Sequence, residues 1–600
     1  MKKEGKSNYL KAGAHRPISI SSYVGKLLER IIEQRIMSHC NSDGLLDDEQ
    51  EGFRSSRNTT RYLYKLIANL KEAQQKKFTA FLLCIDFEKA FDSVWLKGLT
   101  VKLYNLGIRG RMLHLINSFL FTRKVKLTVN DHVGEERHCG GYGVPQGSVL
   151  SPLLFILFIR DMFDFYNSPL SISTLCIENS SIFKYADDGS VLVIHEDPIV
   201  CNRLAQECCN HISQWCSKWR LIVNCDRDKT ECLIIKPSHN MHKFTSMVEL
   251  QINGKTVNFA SSTKVLGLHI DDELSFNLHS GKVLQRSWHA WFKITRNTTR
   301  HWGLNISTLV ILFRTIVLTK LLYAAPVWLN ERNCLNFKDF YAKVCHKISG
   351  ATHYSPQAIT LLAMGLEPLI ILYKLTCVKF VLKALTSDIN MMGIIYQLEE
   401  SRSHPYYQHI IMVKDYISLL QGTPVNTNHR RNYSSSQLAI INKAHLRYNQ
   451  SDITKLRTHL WNNYITSEAD RKSQIIMSHS GIKETDICTI QSLEHHKILF
   501  PRTSKRATDT KVMTLLHGHD LSFNTFKYSL QLSSDPFCSL CIAEKDNSMH
   551  RLLYCPKFNC HFRCHLTTLS ASSHLAHAVL LHGNTTQLNN FRCMAQIIFK

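Results

Sequence analysis

Lys184-Tyr185-Ala186-Asp187-Asp188-Gly189-Ser190 lies between the apolar-rich runs Ser181-Ile182-Phe183 and Val191-Leu192-Val193-Ile194. Strand-forming residues on both sides of an Asp-Gly step predict two short strands joined by a tight turn. Adjacent carboxylates at the tip of a buried hairpin repel each other and lose hydration. A fold keeps them only beside a compensating cation or on a solvated rim. An acidic surface turn has the same local pattern, so the rest of the sequence must decide.

Upstream, Phe81-Leu82-Leu83-Cys84-Ile85 is a continuous apolar run of strand length that suits a strand covered on both faces, and it ends in Asp86. Helical spacing begins at once in Phe87-Glu88-Lys89-Ala90-Phe91-Asp92-Ser93-Val94-Trp95. Asp86 is therefore expected at the strand's carboxyl end, where sites of α/β layers form. The glycine-rich loop Gly140 to Ser148 feeds an apolar helix from Val149 to Phe158, and such a backbone can approach a ligand closely. Val125 to Val129 alternates like a strand.

Nearer the start, Val24, Leu27, Leu28, Ile31, Ile32 and Ile36 fall on one helical stripe, and a second helix is expected near Leu63, Leu66, Ile67 and Leu70. Between them Gln50 to Thr60 is a polar loop with Gly52, Arg54 and Arg57, readable also as a basic linker. Beyond the hairpin, Trp215, Trp219, Leu221 and Val223 close a helix and begin a strand that carries Lys229-Thr230-Glu231. Val265 to Asp271 reads as another strand ending at a turn. Val283 to Leu385 is mainly helical, with Trp288, Trp291 and Phe292 as one apolar patch assigned to the core. Residues 400–535 are polar and weakly periodic, and no internal repeat is visible.

The 600 residues imply three or more domains, and 44% hydrophobic with 20% charged residues is the composition of a folded protein. A net charge of +24 suggests a polyanionic partner, nucleic acid first. Cysteines such as Cys84, Cys232 and Cys377 lie singly in apolar runs, and no charged-then-apolar leader stands at Met1, which fits a reduced, intracellular protein in nucleus or cytoplasm. No apolar run reaches the ~20 residues of a membrane span.

Asp86, the Pro145-Gln146-Gly147 loop and the Asp187-Asp188 hairpin are expected to meet at one edge of a palm-like sheet, bringing together the three acids that a pair of divalent ions needs. Seven strings stand in register over residues 15–271: Arg16-Pro17-Ile18-Ser19, Gln50 to Thr60, Asp86 to Asp92, Pro145 to Pro152, Tyr185-Ala186-Asp187-Asp188, Lys229-Thr230 and Leu266-Gly267. On these motifs the chain resembles the reverse transcriptase of a non-LTR retrotransposon of the jockey-like or LINE type. The resemblance implies an α+β right-hand polymerase of fingers, palm and thumb. It would copy an RNA template into DNA from deoxynucleoside triphosphates, primed from a nicked DNA target, with two Mg²⁺ ions for which Mn²⁺ substitutes. By the same resemblance Asp86 and Asp187 are the principal metal ligands, with the Phe87 carbonyl helping and Asp188 nearby. Phe91 matches a steric gate against ribose. Gln146 and Gly147 match contacts to the nucleotide and template pair. Arg16 matches a triphosphate holder, as does Arg54 or Arg57, and Lys229 matches the general acid for pyrophosphate.

Two departures stand out. Asn224 and Lys229 enclose four residues where the family usually has two, so a bulged turn is expected to displace Lys229. The family's frequent apurinic-type endonuclease is not visible ahead of Arg16, so the resemblance implies either a fragment or nicking done elsewhere. Near the other end, Cys538, Cys541, His550 and Cys555 have the spacing of a structural zinc knuckle, with Cys560, His561, Cys564 and His565 as competing ligands. The expected organisation is fingers and palm over 1–240, palm end and a helical thumb-like region over 241–400, a connector over 401–535, the knuckle over 536–566 and a tail over 567–600. No ribonuclease H, integrase or aspartic protease signal is visible. The rival readings are a decayed or domesticated copy that only binds nucleic acid, and an RNA polymerase or intron maturase on the same palm.

Overall fold

The computed structural model describes residues 14–420, except 130–131, 165–172, 227–228, 236–248, 300–301, 352–356 and 388, together with 450–466 and the isolated positions 8, 10, 509, 512, 585, 588, 589, 591 and 592. The chain divides into two compact units, Met1–His279 and Ser280–Lys600. Cys538, Cys541, His550 and Cys555 lie outside the described residues.

The first unit opens with helix α1 (Tyr23–Ser42), started by Ser22, whose side chain accepts from the Gly25 N–H. Its apolar stripe is not the buried one expected. Ile32 and Ile36 are buried, while Val24 is 79% and Leu27 62% exposed. Periodicity reports which residues share a face, not whether anything covers it. Helix α2 (Thr59–Gln75) is capped by Asn58 and buries Leu63, Leu66, Ile67 and Leu70. Strand β1 (Thr79–Ile85) follows, covered along nearly its whole length as its apolar run requires. After a 3-10 turn at Ala90–Ser93 come α3 (Leu96–Asn105) and α4 (Gly110–Phe121). Strands β2 (Lys124–Val129) and β3 (His132–His138) form a separate hairpin, every residue of it exposed.

The all-apolar helix α5 (Ser151–Phe158) is buried as predicted, and the short α6 (Thr174–Glu178) leads into β4 (Ser180–Tyr185) and β5 (Asp188–His195). The hairpin turn is Ala186-Asp187, two residues earlier than the Asp-Gly pair suggested, and Asp188 already opens β5. Helix α7 (Pro198–Trp219) lines the core with Cys201, Cys208, Cys209 and Cys216, each 0% exposed and acting as small apolar residues. Strand β6 (Glu231–Ile235) begins after Lys229-Thr230 rather than before it, because Val223 makes only a single bridge, to Phe87. A small pair β7 (Gln251–Ile252) and β8 (Lys255–Thr256) precedes β9 (Asn258–Ala260). The predicted strand Val265 to Asp271 is a hairpin of β10 (Ser262–Val265) and β11 (Leu268–Asp271), turning on Leu266 and Gly267 at φ +44° and +89°.

The main sheet has the order β4-β5-β1-β6-β9, antiparallel except that β9 runs parallel to β6. Strand β9 carries this sheet past residue 240. Ile85 pairs with Gly189, so Asp86, which follows β1, and Asp188, which precedes Gly189 on β5, adjoin at one end of the sheet.

The described residues of the second unit are mainly helical, as predicted for Val283 to Leu385, with helices including Lys338–Ser349, Leu369–Ser387 and Ile389–Glu400. Trp291 is buried, but Phe292 is 62% exposed and only stacks on Trp288 at 5.3 Å, so the aromatic patch is core on one side alone. Helices Tyr407–Leu420 and Gln450–Thr466 occupy part of the stretch read as an aperiodic connector. Among the described residues, no helix is long and apolar enough to cross a membrane.

Candidate active site

Asp86 follows the last residue of β1, and two hydrogen bonds fix its backbone while a third fixes the chain two residues on. Its N–H donates to Thr230 Oγ1 at 3.2 Å, its carbonyl accepts from the Asn224 N–H at 2.8 Å, and the Glu88 N–H donates to the Ile222 carbonyl at 2.9 Å. The Phe87 carbonyl takes part in none of these bonds. Lys229 Nζ stands 3.1 Å from Asp86 Oδ2, and Asn224 Nδ2 reaches the same oxygen at 3.5 Å. The longer Asn224 to Lys229 segment therefore does not carry the lysine away. The Lys229 N–H donates back to the Asp226 carbonyl and the Thr230 N–H to that of Asn224, closing the loop on itself.

Across the sheet end, burial raises the pKa of Asp187, and the charge of Asp86 raises it further against the pull of Arg16 and Lys229. Asp188 is pushed up to about 6, by burial first and then by Asp187 and Asp86. Its residue remains exposed, so water moderates that cost. The three acids thus sense each other and the two cations Arg16 and Lys229. They are not drawn together as tightly as expected: among the described residues, no group of three His, Cys, Asp or Glu side chains is arranged to hold a metal ion. Like charges separate until a cation compensates them, and here Lys229 compensates Asp86. An all-oxygen, mutually repelling donor set is the chemistry that a hard divalent cation satisfies.

The glycine-rich loop reaches the site through backbone contacts. The Gln146 carbonyl accepts from the Ser19 N–H at 2.6 Å, and its side-chain Nε2 donates to Asp92 Oδ1 at 3.0 Å. Gly147, at φ +113°, has no room for a side chain, since a Cβ would stand 2.5 Å from the Ser19 carbonyl. This glycine is explained by the close approach of the Arg16 to Ser19 segment. Glu29, a buried acid of α1, accepts from Ser148 Oγ at 2.5 Å and from the Val149 N–H at 2.7 Å, so α1 holds the loop's exit. Phe91 stacks on Phe155 at 4.7 Å and accepts the Val144 N–H with its carbonyl, which ties the expected gate residue to the same loop.

Arg54 and Arg57 bond to the loop that precedes them. Arg54 Nη1 donates to the Asp47 carbonyl, and Arg57 donates to the Asp48 and Gln50 carbonyls and pairs with the Asp48 carboxylate at 2.8 Å. Their guanidinium groups brace the 46–50 loop, whose carbonyls lack a regular ladder.

Sequence reasoning missed that this loop also grips the acidic hairpin. Gln50, 3% exposed, accepts from the Ala186 N–H at 3.0 Å, and the Glu51 N–H donates to the Lys184 carbonyl at 2.8 Å. Glu51 is buried against Arg61 at 2.9 Å and Lys65 at 2.8 Å. The available signal was the pair Arg61 and Lys65, one helical turn apart on an otherwise buried helix, needing an acid.

Residues 1–270 match the family described as reverse transcriptase (RNA-dependent DNA polymerase). The RNA-directed DNA polymerase from mobile element jockey of Drosophila funebris is 30% identical over 357 residues, 58% of this chain and 36% of that protein. The probable RNA-directed DNA polymerase from transposon BS of Drosophila melanogaster is 29% identical over 320 residues, 53% of this chain and 33% of that protein. The chain spans about a third of the length of these curated relatives. Apo telomerase from Candida tropicalis overlays 71% of this chain and 61% of that one at 12% identity, but with a TM-score of 0.30 the likeness is too slight to bear on the fold.

Proposed function

We propose, from the premise that residues 1–270 form a domain of the reverse transcriptase family, that the protein is an RNA-directed DNA polymerase of a non-LTR retrotransposon. It copies an RNA template from deoxynucleoside triphosphates and primes from a nicked DNA target. The observation that carries this reading is the meeting of Asp86, at the end of β1, with the Asp187-Asp188 turn, both within electrostatic reach of Arg16 and Lys229. Asp86 and Asp187 would hold Mg²⁺, with Asp188 beside them and the Phe87 carbonyl as a further oxygen. Bound Mg²⁺ lowers the pKa of the primer's 3′-hydroxyl and neutralises charge on the departing pyrophosphate.

The chain's own residues supply the rest. Arg16 draws the triphosphate toward Asp187. Lys229 would give a proton to pyrophosphate, a reading supported by its ammonium standing 3.1 Å from Asp86 Oδ2. Phe91, held by Phe155, is set against a ribose 2′-hydroxyl, and Gln146 and Gly147 border the nucleotide. Cys538, Cys541, His550 and Cys555 would hold one structural Zn²⁺ in a knuckle that grips nucleic acid, and metal analysis finding none would remove that part. Fingers and palm would correspond to the first unit and a thumb-like region to the second. The protein works inside the cell, in nucleus or cytoplasm.

Extension of a DNA primer on a homopolymer RNA template tests the reading. Incorporation of deoxynucleotides that requires Mg²⁺ or Mn²⁺ supports it. Pure, folded protein that extends nothing with either ion would instead indicate a nucleic-acid-binding relic, and a preference for ribonucleotides would indicate an RNA polymerase.

A further inference from the structure

The Asp187-Asp188 turn is short and strained. Ala186 sits at φ +56°, a left-handed conformation that costs a residue bearing a Cβ ~1 kcal/mol or more. Something must hold it there, and the contacts identify what. The Ala186 N–H donates to Gln50 Oε1 at 3.0 Å, and the same oxygen accepts from the Gly52 N–H at 2.9 Å. Only the oxygen of a carboxamide can accept, so two converging donors fix which way the Gln50 side chain faces. Gly52 lies so close that a Cβ there would stand 2.4 Å from the Ala186 nitrogen.

The clamp is itself anchored. The Glu51 N–H donates to the Lys184 carbonyl at 2.8 Å and the Lys184 N–H to the Glu49 carbonyl at 3.2 Å, so the loop runs parallel to the outer edge of β4. Glu51 fastens the loop to α2 through Arg61 and Lys65. The same helix sends Tyr62, 0% exposed, to Ser190 Oγ on β5 at 2.9 Å. One helix and its leading loop thus hold both strands of the hairpin, and Gln50 is the member that bonds to the turn's backbone.

We propose that Gln50 is a positioning residue, whose side-chain oxygen holds the Ala186 backbone and thereby sets where Asp187 is presented. It touches no reacting atom. This inference rests on the reading of Asp187 as a ligand in polymerisation, so its test has one arm that needs activity and one that does not.

In the first arm, Gln50→Met removes the acceptor at similar size, Gln50→Glu keeps an acceptor oxygen, and Gly52→Ala pushes on the turn from the neighbouring position. Primer extension is followed at a temperature where melting shows each variant folded. Gln50→Met and Gly52→Ala are expected to lower kcat about 10- to 100-fold with the KM for deoxynucleotide changed less than about 3-fold, as displacement of a reacting group by about an ångström does. The Mg²⁺ concentration for half-maximal rate should rise, and Gln50→Glu should recover most of the loss. Wild-type kcat and Mg²⁺ dependence in Gln50→Met, or equal damage in Gln50→Glu, would overturn the proposal.

The second arm is hydrogen exchange of the peptide spanning the turn. Protection should fall in Gln50→Met and persist in Gln50→Glu, and unchanged protection in Gln50→Met overturns the clamp whether or not the protein polymerises. A wild-type protein that polymerises nothing but shows this exchange pattern refutes the catalytic reading and leaves the clamp standing only as a structural contact, which also ends the positioning claim.

Discussion

In the hairpin β4–β5, Val191, Leu192 and Val193 are at most 1% exposed, whereas in β2–β3 Leu127, Val129 and Val133 are 68%, 57% and 64% exposed. Both are antiparallel ribbons with short connections, and the sequence shows both strands of the first and Val125 to Val129 of the second. They differ in what else they meet. Strand β5 pairs with β1 on its other side, and the 49–52 loop runs beside β4. Among the described residues, strands β2 and β3 pair with each other alone. A strand's local pattern sets its extended form, while the run of consecutive apolar residues decides whether a sheet takes it in. Val191 to Ile194 is such a run; Lys124-Val125-Lys126-Leu127 alternates and stays on the surface. The consequence is functional: carboxylates held at a defined separation need the buried, cross-braced hairpin, because a lone two-stranded ribbon is marginal in water.

The contrast can be broken by substitution. Leu192→Asp puts an unpaired charge at a 0% exposed position and is expected to cost about 4 kcal/mol or more in thermal or denaturant unfolding. A small loss would mean that the hairpin is not locked into the sheet. Tyr62→Phe removes the bond to Ser190 from a buried site and should cost about 1 kcal/mol. Asp188→Asn acts in the opposite direction. Its folded-state pKa is raised, so the native protein retains a proton that the unfolded chain releases, and the carboxylate costs stability increasingly from about pH 4 to about 6 and fully above. After discounting for solvent at this exposed residue, the variant should be more stable than wild type by about 1 kcal/mol at pH 7 without Mg²⁺. The gain should vanish below about pH 4. A variant less stable than wild type at pH 7 would show that no repulsion is stored there. Leu127→Ser, on the other ribbon, should stay within about 0.5 kcal/mol, and a larger loss would reveal packing that the exposed surface does not show.

Much of the palm was legible because its signals are local. The apolar run ending in Asp86, the turn before Asp188 and the glycine loop each announce themselves within ten residues or so. Other features depend on partners far along the chain. Gln50 meets Ala186, and Glu29 meets Ser148, across more than a hundred residues. Nothing in a window around Gln50 distinguishes a buried clamp from a polar linker. The same limit hid the local bonding of Arg54 and Arg57, which donate to nearby carbonyls, and left α1 with a stripe that is mostly exposed. The motif that carries Lys229 points to the site although its loop is two residues longer than usual, and the ammonium stands beside Asp86.

The central claim is that the acidic hairpin and the end of β1 form one metal-dependent polymerising site. Single-nucleotide incorporation on an RNA template, with Mg²⁺, by wild type and Asp187→Ala tests it most directly. Incorporation that falls about 10³-fold or more in a variant that melts no lower than wild type is the predicted result. Undiminished incorporation by folded Asp187→Ala would contradict it.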